Sequence, residues 1–255
     1  MKIKDLLDLK EGEIVSIVGA GGKTSFMFSL AKELREQGKV LVTTTTKIFV
    51  PQKEQYDFLA IGESNFNKVK LQKYKGIYVF GAHINLENKI IGLRYEMLQR
   101  QLTHFKYILI EADGSKGKPI KGWNEKEPVV WENTDKTVGI LNIEALGKKI
   151  NSHNVHREEQ FIKLTNSRIN DYININHLKC LIFNKNGLFK NSCGEKILFI
   201  NKVEEENKKI LARKLLKIIV EENNNYLDKI IIGSLKNQEY YLAFNSKNER
   251  CDTNT

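Results

Sequence analysis

Gly19-Ala20-Gly21-Gly22-Lys23-Thr24-Ser25 follows the apolar run Ile14-Val15-Ser16-Ile17-Val18 and leads directly into Phe26-Met27-Phe28-Ser29-Leu30-Ala31-Lys32-Glu33-Leu34. A β-branched run, a glycine-rich turn and an amphipathic segment in that order predict a strand that bends into a helix. The start of such a helix offers unpaired amide hydrogens and partial positive charge, and glycines let the backbone close around an anion, so the turn reads as a phosphate cradle. Lys23 is then placed to reach β- and γ-phosphate oxygens and the Thr24 hydroxyl to ligate Mg²⁺, with Gly19, Gly21, Gly22 and Ser25 completing the cradle. The full Walker A spacing would put its first glycine where this chain has Ile17, so the match is confined to the Gly22-Lys23-Thr24 core.

Working outward, Lys39-Val40-Leu41-Val42-Thr43 predicts a second buried strand that ends in the threonine run Thr43 to Thr46, after a first helix expected to end near Gly38. Further strands are expected at Phe58–Ile61, Ile77–Phe80, Tyr107–Ile110, Thr137–Leu141, Lys196–Ile200 and Lys229–Ile232, with Tyr240–Phe244 as an antiparallel edge. A helix is expected from Arg94 to Leu102 and another from Glu204 to Glu222, and the polar end from Asn245 to Thr255 is expected to fray. Strands alternating with helices predict an α/β fold with a mostly parallel sheet, a P-loop-NTPase-like three-layer arrangement in one domain over residues 1–255. The weaker pattern between about 151 and 193 is read as a partly helical insertion before the last strands.

The strand Tyr107–Ile110 delivers Glu111-Ala112-Asp113-Gly114 to the edge where open α/β sheets hold their ligands. Strand alternation turns Glu111 and Asp113 to one side, so either carboxylate could hold Mg²⁺; Asp113 is preferred, Glu111 would couple to a switch, and the Gly114 amide would sense a γ-phosphate. Lys23, Glu111 and Asp113 are therefore the candidate catalytic residues, and Thr24 with Asp113 the candidate Mg²⁺ ligands. The threonines read either as a switch segment supplying a hydroxyl to the metal or attacking water, or simply as β-branched residues leaving a strand. Asn201-Lys202-Val203-Glu204 follows a predicted strand and precedes a helix, the position of guanine-reading N-K-x-D motifs. Asn201, Lys202 and Glu204 would border the base, the carboxylate accepting from guanine N1 and the exocyclic amine, so the nucleotide is GTP or ATP with GTP preferred. His156-Arg157 reads as a cationic pair near nucleotide or partner, or as an exposed helix start.

The formal charge of +10 is spread among many asparagines rather than gathered in a block, which suits a solvated surface and polyanionic small ligands; a nucleic-acid partner is not expected. Cys180, Cys193 and Cys251 form no C-x-x-C pair, as in a reducing compartment. Residues 1–7 lack the apolar core of a signal peptide, and no run reaches the ~20 apolar residues of a membrane span, so a cytoplasmic, membrane-free protein is expected.

The ordered set Ile17–Ser25 (IVGAGGKTS), Val42–Pro51 (VTTTTKIFVP), Ile110–Lys121 (IEADGSKGKPIK) with Glu127-Pro128, Val138–Gly147 (VGILNIEALG), Val155-His156-Arg157 and Gly187–Lys190 (GLFK) resembles the YqeC family. That resemblance implies an accessory role in maturing selenium-dependent molybdenum hydroxylases, by supplying labile selenium or a modified molybdenum cofactor. The resemblance implies a client hydroxylase or another selenium-pathway protein as partner, beside the purine nucleoside triphosphate expected from the loop. Glu111-Ala112-Asp113-Gly114 also fits E-x-x-G, a variant of the D-x-x-G of GTPases that insert nickel into enzymes, which suggests a slow Mg²⁺-dependent NTPase. A phosphoryl- or nucleotidyl-transferase acting on a selenium or pterin compound and a non-catalytic, nucleotide-stabilised scaffold are the alternatives.

Overall fold

The computed structural model describes residues 1–70, 74–100 and 102–249. Its centre is a nine-stranded sheet of β1 (Ile14–Gly19), β2 (Lys39–Thr44), β3 (Phe58–Ile61), β4 (Gly76–Gly81), β5 (Tyr107–Glu111), β6 (Lys136–Asn142), β7 (Glu195–Asn201), β8 (Lys229–Ser234) and β9 (Glu239–Asn245), in the spatial order β9-β8-β7-β6-β1-β5-β2-β4-β3. All neighbouring pairs are parallel except β8 with β9. The mostly parallel α/β sheet and its antiparallel edge are those expected from the apolar runs.

Alternation along the strands sends side chains to both faces, and both are covered. Val15 and Ile17 of β1 join Leu109, Val138 and Phe199 under the helix α1 (Lys23–Leu34), which contributes Phe26, Met27, Leu30 and Ala31. On the other face Val18, Leu141, Leu198 and Ile230 pack with α2 (Glu158–Thr165), α3 (Ile175–Phe183) and α4 (Glu206–Glu222) through Phe161, Leu178, Leu181 and Leu215. A third cluster around Leu41, Phe66, Phe80 and Ile110 covers that same face toward β3. Two apolar interfaces per sheet make three layers. The partly helical insertion is present as α2 and α3 between β6 and β7.

Three differences from the expected elements have local causes. The helix α1 stops at Leu34, where the Gln37 amide donates to the Leu34 carbonyl in a turn, rather than running to Gly38. The expected helix at Arg94–Leu102 is the single turn Tyr95–Gln99, with only Leu98 buried on it and a 3₁₀ turn at Leu102–His104; Gln101 lies outside the described residues, as does 250–255 of the tail expected to fray. A small antiparallel sheet of Lys47–Phe49, Lys89–Ile91 and His83–Ile84 stands beyond β2. Among the described residues no helix is long and apolar enough to cross a membrane.

Candidate functional site

The turn after β1 brings Gly19–Ser25, the segment expected to cradle phosphate, to the carboxyl edge of the sheet between β6 and β5. Gly19, Gly21 and Gly22 have φ of 103°, 79° and 141°, a region that side-chain-bearing residues rarely occupy. Gly22 is also the N-cap of α1 and supplies no side-chain cap, so the first helical amides are left to water or a ligand. A Cβ on Gly22 would lie 2.3 Å from the Asn201 amide nitrogen, so the missing side chain is what lets β7 approach the loop.

Lys23 begins α1 and turns back beneath the loop. Its Nζ donates to the Gly19 carbonyl at 2.8 Å and stands 3.4 Å from Asp113 Oδ1 and 3.7 Å from Glu111 Oε1, and the residue is only 3% exposed. The Thr24 hydroxyl donates to Glu111 Oε2 at 2.7 Å, while Thr24 and Ser25 themselves stay exposed. Asp113 is wholly buried and saturated: the Gly19 amide donates to both its oxygens at 3.1 Å, and Lys121 Nζ and Trp123 Nε1 reach Oδ2 at 2.9 and 2.8 Å.

The electrostatics follow from these contacts. Burial by itself would lower the Lys23 pKa, but Asp113 and Glu111 overcome it and hold the ammonium above the ordinary lysine value. Burial raises Glu111, an effect that Lys23 and the Thr24 hydrogen bond only partly offset. The same burial acts on Asp113, yet Lys23, Lys121 and the hydrogen bonds from Lys121 and Trp123 outweigh it and keep this carboxyl below the usual range.

Behind Asp113 lies a charged chain of Lys121, Glu127 and Arg157, of which only Arg157 was singled out from the sequence, as half of a cationic pair. Lys121 is fully buried and donates to Glu127 Oε2 at 3.0 Å and to the Gly114 carbonyl at 2.6 Å, besides its bond to Asp113. Glu127 is in turn held by Arg157 through two bonds of 2.9 and 3.2 Å, a planar fork on a carboxylate. Lys121 and His156 sit on the paired two-residue strands Ile120–Lys121 and Val155–His156. His156 is not the cation that the His-Arg pair suggested: burial and the charges of Lys121 and Arg157 pull it down to about 4, so it is neutral near pH 7. The expected γ-phosphate sensor Gly114 offers its carbonyl to Lys121.

The threonines end β2 with their hydroxyls in use. Thr43 donates to the Phe80 carbonyl at 2.9 Å, Thr44 to the Glu111 carbonyl at 2.7 Å and Thr45 to the Val129 carbonyl at 2.8 Å, so two of them clip neighbouring strands together.

On the other side of the loop a cavity of about 490 Å³ is lined by Gly21, Gly22 and Ser25 together with Asn142, Glu144, Asn201, Lys202, Glu204, Leu235 and Lys236. The two clusters picked from sequence, separated by about 180 residues, therefore share one space. Asn201 joins them directly, with Nδ2 donating to the Gly21 carbonyl at 2.9 Å and Oδ1 accepting from the Leu235 amide at 3.3 Å. Glu204 accepts from the Ser234 hydroxyl at 3.0 Å and lies 3.6 Å from Lys236 Nζ, and Lys202 pairs with Glu144 at 3.4 Å. Among the described residues no three His, Cys, Asp or Glu side chains form an all-protein metal cluster.

A family model for the YqeC protein matches residues 15–159, more than half of the chain. The chain belongs to the YqeC family. It is 31% identical over 218 residues to the uncharacterized protein YqeC of Escherichia coli (strain K12), covering 83% of this chain and 84% of that relative. No solved structure matches the chain. The YqeC family match takes in Gly19–Ser25, Glu111, Asp113, Gly114, Lys121, Glu127 and Arg157, and ends before Asn201 and Glu204.

Proposed function

We propose that this chain binds a purine nucleoside triphosphate with Mg²⁺ at the 19–25 loop, hydrolyses it slowly, and couples nucleotide state to the maturation of selenium-dependent molybdenum hydroxylases. The observation that carries the nucleotide half is the single cavity joining Gly21, Gly22 and Ser25 to Asn201, Lys202 and Glu204. Its volume is of the size that small-molecule sites use, roughly 300–1,000 Å³. The maturation half rests on the resemblance of the motif set to the YqeC family.

In this reading the triphosphate replaces the Gly19 carbonyl as the partner of Lys23, and the free amides at the start of α1 donate to the remaining phosphate oxygens. Thr24 and Glu111 are adjacent oxygen donors, a hard set that suits Mg²⁺, an ion usually held by one or two carboxylates plus substrate phosphates. Asp113 was the preferred metal partner from spacing, but its oxygens are committed to Gly19, Lys121 and Trp123. It serves to fix the loop and the lysine, which leaves Glu111 as the carboxylate on the metal side. When bound, Mg²⁺ neutralises charge on the phosphates. Glu111 also touches β2 through its carbonyl and Thr44, so movement at the phosphates has a direct route to the threonine segment.

Lys23→Ala removes a charge-assisted contact worth ~1.5–3 kcal/mol and is expected to weaken triphosphate binding by roughly ten- to a hundredfold in titration calorimetry with Mg²⁺. In a strain lacking the gene, the same variant is expected not to restore selenium-dependent hydroxylase activity. Unchanged affinity in a folded Lys23→Ala protein would remove the nucleotide half; hydroxylase activity that survives loss of the gene would remove the other.

A further inference from the structure

We infer that the β7–β8 side of the cavity is a guanine-selective base site, in which the Glu204 carboxylate reads the base and Asn201 ties the reading surface to the phosphate loop. The inference rests on the nucleotide reading above and adds to it which base is taken and which atoms choose it.

Sheet geometry sets the distance. β7 and β8 are the second and third neighbours of β1 on its β6 side, and strands lie about 4.8 Å apart, so their ends are about 10 and about 14 Å from the loop that would hold the phosphates. An α-phosphate and a ribose span that gap. At those ends the cavity presents Glu204, and the stems of Lys202 and Lys236, which also line it, can cover the faces of a flat ring.

Glu204 is held for the task. Its side chain is 23% exposed, and Ser234 at the end of β8 donates to Oε1 at 3.0 Å while Lys236 stands 3.6 Å from Oε2. A carboxylate has about four lone-pair sites, so these partners orient the group and leave acceptors free. An ionised carboxylate only accepts. Guanine offers it two donors side by side, the N1 hydrogen and the exocyclic N2 amine, whereas adenine offers one amine next to the N1 lone pair, which the carboxylate repels. Charge-assisted bonds of this kind are the strong ones, and a site that needs two donors rejects a base that lacks one.

Asn201 is a positioning residue. It is 2% exposed, and its amide bridges the Gly21 carbonyl and the Leu235 amide, so the base-side turn and the phosphate loop cannot shift independently. The close approach depends on Gly22, where any Cβ would meet the Asn201 amide.

The test is titration calorimetry with Mg²⁺ and four triphosphates, plus inorganic tripolyphosphate as a probe of the loop alone. GTP is expected to bind at least about a hundredfold tighter than ATP, and inosine triphosphate, which lacks the N2 amine, about tenfold weaker than GTP. Glu204→Gln keeps the shape and an acceptor for Ser234 but adds a donor, so preference should pass from GTP to xanthosine triphosphate, whose C2 carbonyl accepts. Its unliganded melting temperature should stay near that of the parent. Equal affinity for GTP and ATP, with tripolyphosphate still bound in a Lys23-dependent way, overturns the base assignment and leaves the nucleotide reading standing; so does GTP binding indifferent to Glu204→Gln. Failure of both nucleotides and tripolyphosphate to bind overturns the nucleotide reading and this inference with it.

Discussion

The two flanks of β1 solve different problems with the same kinds of residue. On the β5 flank, Lys23, Glu111, Asp113 and Lys121 are all 5% exposed or less, and their charges balance one another at distances of 2.9 to 3.7 Å. On the β6–β7–β8 flank, Glu144, Lys202, Glu204 and Lys236 pair loosely around an open cavity at 3.4 and 3.6 Å. A charge withdrawn from water must be paired or neutralised, so the first flank is one connected unit in which each member holds the next. Charges at a wet rim are screened and nearly independent. The β5 flank is thus costly to alter, and the cavity flank is where side chains can change without unfolding the protein.

The largest expected effect tests that unity. Asp113→Ala leaves the Gly19 amide, Trp123 Nε1, Lys23 and Lys121 facing a buried gap, and breaking one partner out of a buried ion pair costs about 3–5 kcal/mol. Urea denaturation followed by circular dichroism should register a loss of that size. A loss below ~1 kcal/mol would mean that water already reaches this cluster, and the contrast between the flanks would disappear.

Acid provides a second test on the same flank. His156 carries a proton in the unfolded chain below its ordinary value near 6.5, but in the fold its pKa is about 4. Because the native state binds fewer protons, the stabilisation from neutral His156 is complete above the unfolded value and is lost as pH falls from there through about 4. By pH 4.5 the loss should reach about 2 kcal/mol, and other groups also titrate in that window. The measurement is therefore the difference in pH dependence between wild type and His156→Asn, which should flatten the curve between pH 6.5 and 4.5. Parallel curves would place His156 in contact with water and away from the Lys121 and Arg157 charges.

How far the sequence could be read follows the same division. All nine strands of the sheet are legible as short, mostly apolar runs, and away from the edge strands β3 and β9 those runs are largely buried on both faces. The positions of Gly21, Gly22, Lys23, Thr24, Glu111 and Asp113 are legible because they lie at or just past the ends of apolar strands or at the start of a helix. The ion pairs that join Lys121, Glu127 and Arg157 are not. A lysine after Pro119-Ile120 in a Lys-rich loop has no periodicity to mark it as buried; its partner Glu127 lies on a loop, and the Arg157 that holds Glu127 lies at the start of α2. The Lys47–Phe49, His83–Ile84 and Lys89–Ile91 strands are too short for alternation to register, with only Ile48 and Ile90 buried among them. Which of Glu111 and Asp113 has its oxygens occupied could not be read from alternation, which turns both the same way; it depends on Trp123 and Lys121 arriving from a different segment to occupy Asp113.

The smallest expected effect comes from the cavity rim. Lys236 is 80% exposed and touches Glu204 at 3.6 Å, a geometry in which pairing, screening and side-chain entropy nearly cancel. Lys236→Met keeps the stem that lines the cavity and removes only the charge, so unfolding free energy should stay within ~0.5 kcal/mol of wild type. Glu204 retains the Ser234 hydroxyl as its orienting partner, and so the order of nucleotide preference should survive the substitution even if affinity for a polyanion falls with the lost positive charge. A stability loss above ~1 kcal/mol would show that the Glu204–Lys236 pair is shielded from water as the β5 cluster is. The cavity flank would then be a second closed electrostatic unit, and its freedom to vary would have to be sought outside Glu204.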